Sequence, residues 1–253
     1  MTVAVETSLL FRRKLVEFLR QPMWVAVGLS TPLLYLVLFG PLLESLAGTA
    51  GFPPGGALDV FVPGIVVLMA FTSGMGAGWI SIWELDSGVI ERLSVTPVSR
   101  LGLVLGTVLR DAATFVVAAV LVMVVAIPFG FAPDPMGIVV LLVLAALLTM
   151  AISAWSAALG IVVGEIGTLA AIVTGLQLPL TLLSGVLLPL SLAPAWMVAI
   201  AHLDPLYYAV EAARDLAAGS ILTGAVGLAF LVTGGLTAVS LGWAVRVYRA
   251  VLR

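Results

Sequence analysis

Apolar runs of about the length a helix needs to cross a bilayer alternate along this chain with short polar breaks. They fall at Met23 to Leu43, Val60 to Ile82, Leu101 to Gly130, Met136 to Val163, Thr168 to Leu188 and Ile221 to Val245. The pattern predicts six transmembrane helices. Ahead of the first run, Arg12, Arg13, Lys14 and Arg20 share a segment with Phe11, Leu15, Phe18 and Leu19, which recur at helical spacing. A basic helix with one apolar stripe lies in the membrane interface, so residues 1–22 are expected to form such a helix. The third run, at about 1.5 Å per residue, is longer than the hydrocarbon is thick, so its first turns should project into the cytoplasm and hold Arg110 and Asp111 in water. In the second run Gly74 and Gly78 stand four apart. In the fourth, Thr149, Ser153, Ser156 and Gly160 share a helix face. Small residues at this spacing let helices approach closely in lipid, so helix packing is favoured over a substrate lining.

Two polar breaks carry structure of their own. Residues 83–100 read WELDSGVIERLSVTPVSR. Val89, Ile90 and Leu93 follow helical spacing, and Thr96-Pro97 ends the pattern because proline disfavours helix in the residue before it. The segment predicts a short helix held crosswise between spans two and three. Residues 189–219 predict two further helices, Pro194 to His202 and a second one capped by Asp204, opened by Pro205 and closed by Gly219. Both are too short to span. Trp196, Tyr207 and Tyr208 suit an interfacial position, His202 is expected to be hydrogen-bonded between the two pieces, and Glu211 and Arg214 can pair on one helix face.

Composition agrees with the pattern. Of 253 residues 62% are hydrophobic and 9% charged, with a mean hydropathy of +1.25. A water-soluble domain carries about a quarter charged residues. The net charge of -2 gives no argument for nucleic acid as a partner. There is no cysteine and one histidine, which excludes disulfides, thiol chemistry and a histidine metal cluster within the chain. The only lysine, Lys14, sits in no glycine-rich loop, so no phosphate-binding P-loop is present. Arg12, Arg13, Lys14, Arg20, Arg92, Arg100, Arg110, Arg246, Arg249 and Arg253 fall on one side of the predicted spans and Arg214 on the other. The cation-rich side is cytoplasmic. Both termini and residues 83–100 are therefore expected inside, and residues 189–219 outside.

An interface helix, six spans, a short helix between spans two and three and a broken helical pair between spans five and six together resemble the ABC-2 type permease family, the membrane subunits of ATP-driven exporters. ELDSGVIERLSVTPVSR, from Glu84 to Arg100, is similar to that family's cytoplasmic coupling helix. LLSGVLLPLSLAPAW and LDPLYYAVEAARDL, from Leu182 and Leu203, are similar to its C-terminal signature. Within the family the chain looks closest to the daunorubicin-resistance type of bacterial drug exporter.

The resemblance implies a single all-α transmembrane domain over residues 1–253, in a bacterial plasma membrane. It implies a separate ATP-binding subunit, which would hold ATP and magnesium while this chain binds no cofactor, and a second permease copy, identical or related. Contact with the ATPase would fall to Asp86, Ser87, Gly88, Glu91, Arg92, Thr96 and Pro97. Substrate would pass between the copies near spans two and five, at Thr72, Ser73, Gln177 and Thr181. The scarcity of deep ionisable groups suits a hydrophobic or amphipathic, lipid-like cargo. Rival readings stay open. An ion-coupled transporter would need intramembrane carboxylates. An intramembrane hydrolase would have to use His202 with a serine brought close by folding. A structural or assembly factor is the third.

Overall fold

The computed structural model describes Phe11, Val16 and residues 30–38, 58–89, 92, 99–186, 190 and 193–251. Of the expected interface helix and first span, only Phe11, Val16 and a helix over residues 30–38 fall in this set. Glu91, Thr96 and Pro97 lie outside it.

Among the described residues the chain is helical throughout, with no strand. Helices α1 (Leu58–Met75) and α2 (Ala77–Asp86) follow one another through a single turn residue, Gly76. They form one membrane-length element that begins and ends beyond the predicted second span. Next come α3 (Arg100–Ala126), with a short 3-10 turn at Ile127–Phe129, then α4 (Pro135–Val163) and α5 (Ile166–Leu183). Helices α6 (Ala195–Ala201) and α7 (Pro205–Ala217) are the short pair, and α8 (Gly224–Val251) is the last long helix. Among the described residues five elements are long and apolar enough to cross a membrane: α1 with α2, α3, α4, α5 and α8. The protein is an all-α polytopic membrane protein.

Local sequence explains where the helices begin and end. Ser99 caps α3 by accepting from the Gly102 amide (3.1 Å), and Asp134 caps α4 through Gly137 (2.7 Å), with Pro135 in the first position. Asp204 does the same for α7 through the Leu206 amide (2.9 Å), followed by Pro205. Each side-chain oxygen satisfies an amide that the helix itself leaves unpaired. The reversal between α4 and α5 is a single left-handed glycine, Gly164 (φ 66°), whose amide bonds back to Gly160 O (2.8 Å). Glycine adopts this φ without the Cβ clash that other residues meet.

The bundle centre is α1 with α2, 78% of whose most apolar window is enclosed, whereas only 11% of the corresponding window of α5 is. Helix α4 is the hub, packing on α1, α2, α3, α7 and α8. Its predicted small-residue face is the packing face: Thr149, Ser153, Ser156 and Gly160 are all buried. Gly78 and Gly160 face each other so closely that a Cβ on Gly160 would lie 2.3 Å from Gly78 O, and one on Gly74 would lie 2.7 Å from the Ile152 side chain. Ser156 Oγ donates to Met75 O (2.6 Å) and accepts from the Gly78 amide (3.0 Å), where α1 passes into α2. Large apolar residues left exposed on α3, α4 and α8, such as Val117, Val124, Val139, Val143, Leu231 and Val239, are what a lipid-solvated surface requires.

Helix α7 does not rest on the bundle's edge. It packs against α1, α4 and α8, with Leu206, Ala209, Val210, Ala212, Ala213 and Leu216 buried. A Cβ on Gly137 would fall 1.8 Å from Leu216 O, and the Asp134 amide donates to Ala217 O (3.1 Å). Only the missing glycine side chain makes room for this approach.

Candidate functional site

The segment between α2 and α3 begins as the sequence predicts. Helix α2 closes when the Ser87 amide donates to Trp83 O (3.0 Å) and the Gly88 amide to Leu85 O (3.1 Å). Ser87 Oγ adds a bond to Trp83 O (2.7 Å), and Gly88 turns the chain with φ 69°. Val89 and Arg92 are again helical, and the Arg92 amide donates to Gly88 O (3.1 Å). The chain thus passes from α2 through a left-handed glycine and returns to helical conformation at Val89 and Arg92. Asp86, Ser87 and Arg92 are exposed there.

Behind this turn the structure departs from expectation. Arg110 and Asp111 do not project into water: their side chains are 11% and 9% exposed. Arg110 is ion-paired with Asp111, and its Nε donates to Oδ1 at 2.9 Å. Ser153 Oγ donates to Asp111 Oδ2 at 2.5 Å from α4. Tyr248 of α8 is buried beside them, hydrogen-bonded to Ser81 of α2 and in the field of Glu84, Arg110 and Asp111. Around these groups pack Leu103, Val104 and Val108 of α3, Ala154, Ala158 and Ile161 of α4, and Ala244, with Leu85 of α2 against them. Charges in low dielectric persist only when paired and hydrogen-bonded. The cause is packing: α4 and α8 lie against α3 and exclude the water that an isolated overlong helix would meet. Ser81 thus ties α2 to α8 and Asp111 ties α3 to α4, with the Arg110–Asp111 pair in electrostatic range of Tyr248. Sequence reasoning missed it because adjacent Arg110 and Asp111 look like an ordinary solvated pair. Tyr248 and Ser81 carry no motif.

The four residues expected along a path occupy different settings. Thr72 and Ser73 are exposed on α1, and Thr72 Oγ1 bonds back to Leu68 O (3.0 Å) and Met69 O (3.2 Å) of its own helix. Gln177 and Thr181 are half-buried on α5, and the Thr181 hydroxyl oxygen is enclosed without a hydrogen-bond partner. No hydrogen bond among the described residues links the α1 pair to the α5 pair. Helix α5 touches the rest of the chain lightly, against α2, α4, α6 and α7, and buries only Leu169 and Val173. It carries polar Thr174 and Thr168 on exposed positions.

At the other end of the bundle, Tyr208 donates to the His202 carbonyl (2.8 Å), and the His202 ring meets Tyr207 edge-on with centroids 5.0 Å apart. The tie between the two short helices thus runs through the His202 backbone as well as its ring. Asp204 is almost wholly buried, with one carboxylate oxygen unpartnered. Burial pushes its pKa up to about 6, against the opposing bond from the Leu206 amide. Tyr207 is pushed up by burial first and by Glu211 second. Glu211 and Arg214 pair at 3.1 Å, as expected. Among the described residues no group of three or more His, Asp or Glu could hold a metal.

A family model for the ABC-2 type transporter matches residues 5–217. The chain is 28% identical over 213 residues to the transport permease ycf38 of Cyanophora paradoxa, covering 83% of this chain and 73% of the relative. It is 30% identical over 217 residues to ycf38 of Pyropia yezoensis, with the same coverage. It is 26% identical over 239 residues to the daunorubicin resistance ABC transporter permease protein DrrB1 of Streptomyces coeruleorubidus, covering 94% of this chain and 83% of that one. A helical bundle with membrane-length apolar elements, matched to this family over most of its length, is a membrane transport permease, and the chain belongs to the ABC-2 type transporter family.

Proposed function

We propose that this chain is the permease subunit of an ATP-driven exporter that moves a hydrophobic or amphipathic substrate, a drug, antibiotic or lipid-like molecule, out of a bacterial cell. A separate ATP-binding subunit binds ATP and magnesium and docks on the cytoplasmic face, at Asp86, Ser87, Gly88, Glu91, Arg92, Thr96 and Pro97. Two permease copies pair in the inner membrane, with both termini cytoplasmic, and substrate passes between them near Thr72, Ser73, Gln177 and Thr181. The observation that carries this reading is the exposure of Asp86, Ser87 and Arg92 at the end of α2, next to buried polar contacts among α2, α3, α4 and α8. A force applied to that turn would pass into the bundle, because Ser81 of α2 bonds to Tyr248 of α8 and Ser153 of α4 bonds to Asp111 of α3. Motion of an attached ATPase would tilt the helices as a body. The relative named for daunorubicin resistance supports an amphipathic cargo.

The test is purification of the tagged chain from its own cells, with ATPase and transport measured on the recovered complex. A Glu91→Ala/Arg92→Ala variant should keep the complex folded and hydrolysing ATP while transport is lost. Normal transport by that variant sinks the coupling assignment. Asp111 favours a second reading, an ion-coupled transporter, since it is a carboxylate enclosed in a membrane-length helix. Its pairing with Arg110 and Ser153 argues for a fixed structural charge. Transport driven by a proton gradient without ATP would decide for the second reading.

A further inference from the structure

Arg214 on α7 makes more contacts than its pairing with Glu211 needs. Its side chain is 14% exposed. Nη1 donates to Glu211 Oε1 (3.1 Å), Nη2 to Gly185 O (2.6 Å) and Nε to Val60 O (3.4 Å). Gly185 lies just past the end of α5, at φ 72°, and Val60 lies in the first turn of α1. A cation among the last carbonyls of a helix is favourably placed, and the guanidinium fork can reach several acceptors at fixed angles. One side chain from α7 thus holds together the ends of α1 and α5 that lie farthest from the 87–99 segment. These ends already touch through their backbones: a Cβ on Gly64 would lie 2.5 Å from Val186 O.

The three partners differ in one respect. Glu211 lies on the same helix, three residues away, and its side chain is 43% exposed, so it stays with Arg214 wherever α7 goes. The two carbonyls belong to other elements. Separation of α1 from α5 would therefore cost Arg214 two hydrogen bonds, while its ion pair and incoming water keep the charge satisfied. Burial already lowers the Arg214 pKa from its ordinary value, with Glu211 opposing, so water entering on separation favours the charge. One turn before Gly185 stands Thr181, whose enclosed hydroxyl has no partner.

We propose that Arg214 is an outer latch: a positioning residue that holds the far ends of α1 and α5 closed at rest and lets go of Gly185 and Val60 when the path opens outward. The proposal rests on the reading of α1 and α5 as walls of that path.

The chain has no cysteine, so single cysteines report without background. In the full transporter complex in sealed vesicles, Thr181→Cys would be exposed to a membrane-impermeant maleimide from outside, with and without Arg214→Gln. Labelling without ATP should rise at least roughly tenfold, the factor given by loss of the bond to Gly185 O alone, the shorter of the two, and Arg214→Lys should fall between. Leu222→Cys, fully exposed, should label equally throughout, and Ala158→Cys, fully buried among the cytoplasmic-end residues, should stay silent. An unchanged Thr181→Cys rate overturns the latch, as does a parallel rise at Ala158→Cys, which would mark general loosening.

Should Arg214→Gln fail to fold, Glu211→Gln carries the test with the opposite sign. Without its travelling partner Arg214 releases less readily, so ATP-stimulated labelling should fall below that of the parent, and equal labelling overturns the proposal. Transport by Gln177→Ala tests the path separately: unimpaired export would discard α5 as a wall while the labelling response still upholds the latch.

Discussion

Replacement of Gly160 by alanine tests how closely the bundle centre is built. The added Cβ would lie 2.3 Å from Gly78 O and 2.9 Å from Gly78 C and Cα, all backbone atoms of a packed helix that cannot rotate aside. Relief to an ordinary contact requires α2 and α4 to separate by roughly 1 Å. That separation lengthens both bonds made by Ser156, to Met75 O at 2.6 Å and from the Gly78 amide at 3.0 Å, in a place where no water can substitute. Overpacking costs about 1–3 kcal/mol, and interhelical hydrogen bonds in membranes contribute about 0.6 kcal/mol each on average. The sum is about 2–4 kcal/mol, or a melting midpoint lowered by roughly 5–15 °C for a domain of this size. Thermal unfolding in mild detergent reads it directly. Gly227→Ala on α8, where nothing lies within 4 Å of the added carbon, serves as control and should be neutral or up to about 1 kcal/mol more stable. Ser156→Ala combined with Gly160→Ala should cost less than the sum of the two, since both break the same contact. A Gly160→Ala protein that melts with the parent would refute the reasoning.

Further outcomes follow from other contacts. Asp111→Ala leaves Arg110 buried without its carboxylate and should cost about 3–5 kcal/mol in unfolding assays, whereas Arg110→Met/Asp111→Leu together should cost far less. Equal losses would show that the pair is not the source of the effect. Gly88→Ala forces a side chain into φ 69° and should cost about 1–2 kcal/mol, seen as weaker capture of the ATP-binding subunit with little change in global melting. Asp204 has its folded pKa raised from 3.8 to about 6, so between these values the folded state binds more protons than the unfolded one. Stability should fall as pH rises from about 4 to about 6 and then level off, by up to about 3 kcal/mol for a two-unit shift. Asp204→Asn keeps a capping oxygen and should flatten that profile, and a persistent slope in the variant would assign it elsewhere.

The long helices were legible because lipid imposes a length on apolar runs. Helix α7 was legible from Asp204 and Pro205, and the packing face of α4 from the spacing of Thr149, Ser153, Ser156 and Gly160. What was not legible depends on which helix stands beside which. Arg110 and Asp111 were placed in water on the strength of helix length alone, which says nothing about neighbours. The reach of Arg214 to Val60 and Gly185 ends on main-chain carbonyls, and an acceptor present at every position leaves no trace in a sequence. At Gly88 the glycine marked the end of α2, but the left-handed φ of 69° that turns the chain there is something only coordinates give.

The seat of α7 bears on how the protein is made. Gly137, near the start of α4, leaves a notch that Leu216 fills some eighty residues later, and the Asp134 amide waits for Ala217 O. Chains emerge from the ribosome N-terminus first, so α1 to α4 enter the bilayer with that notch open and an amide unpaired. Biogenesis therefore passes through an unfinished bundle in which this notch is filled only once residue 217 has been made, before α8 adds its packing on α4 and α7.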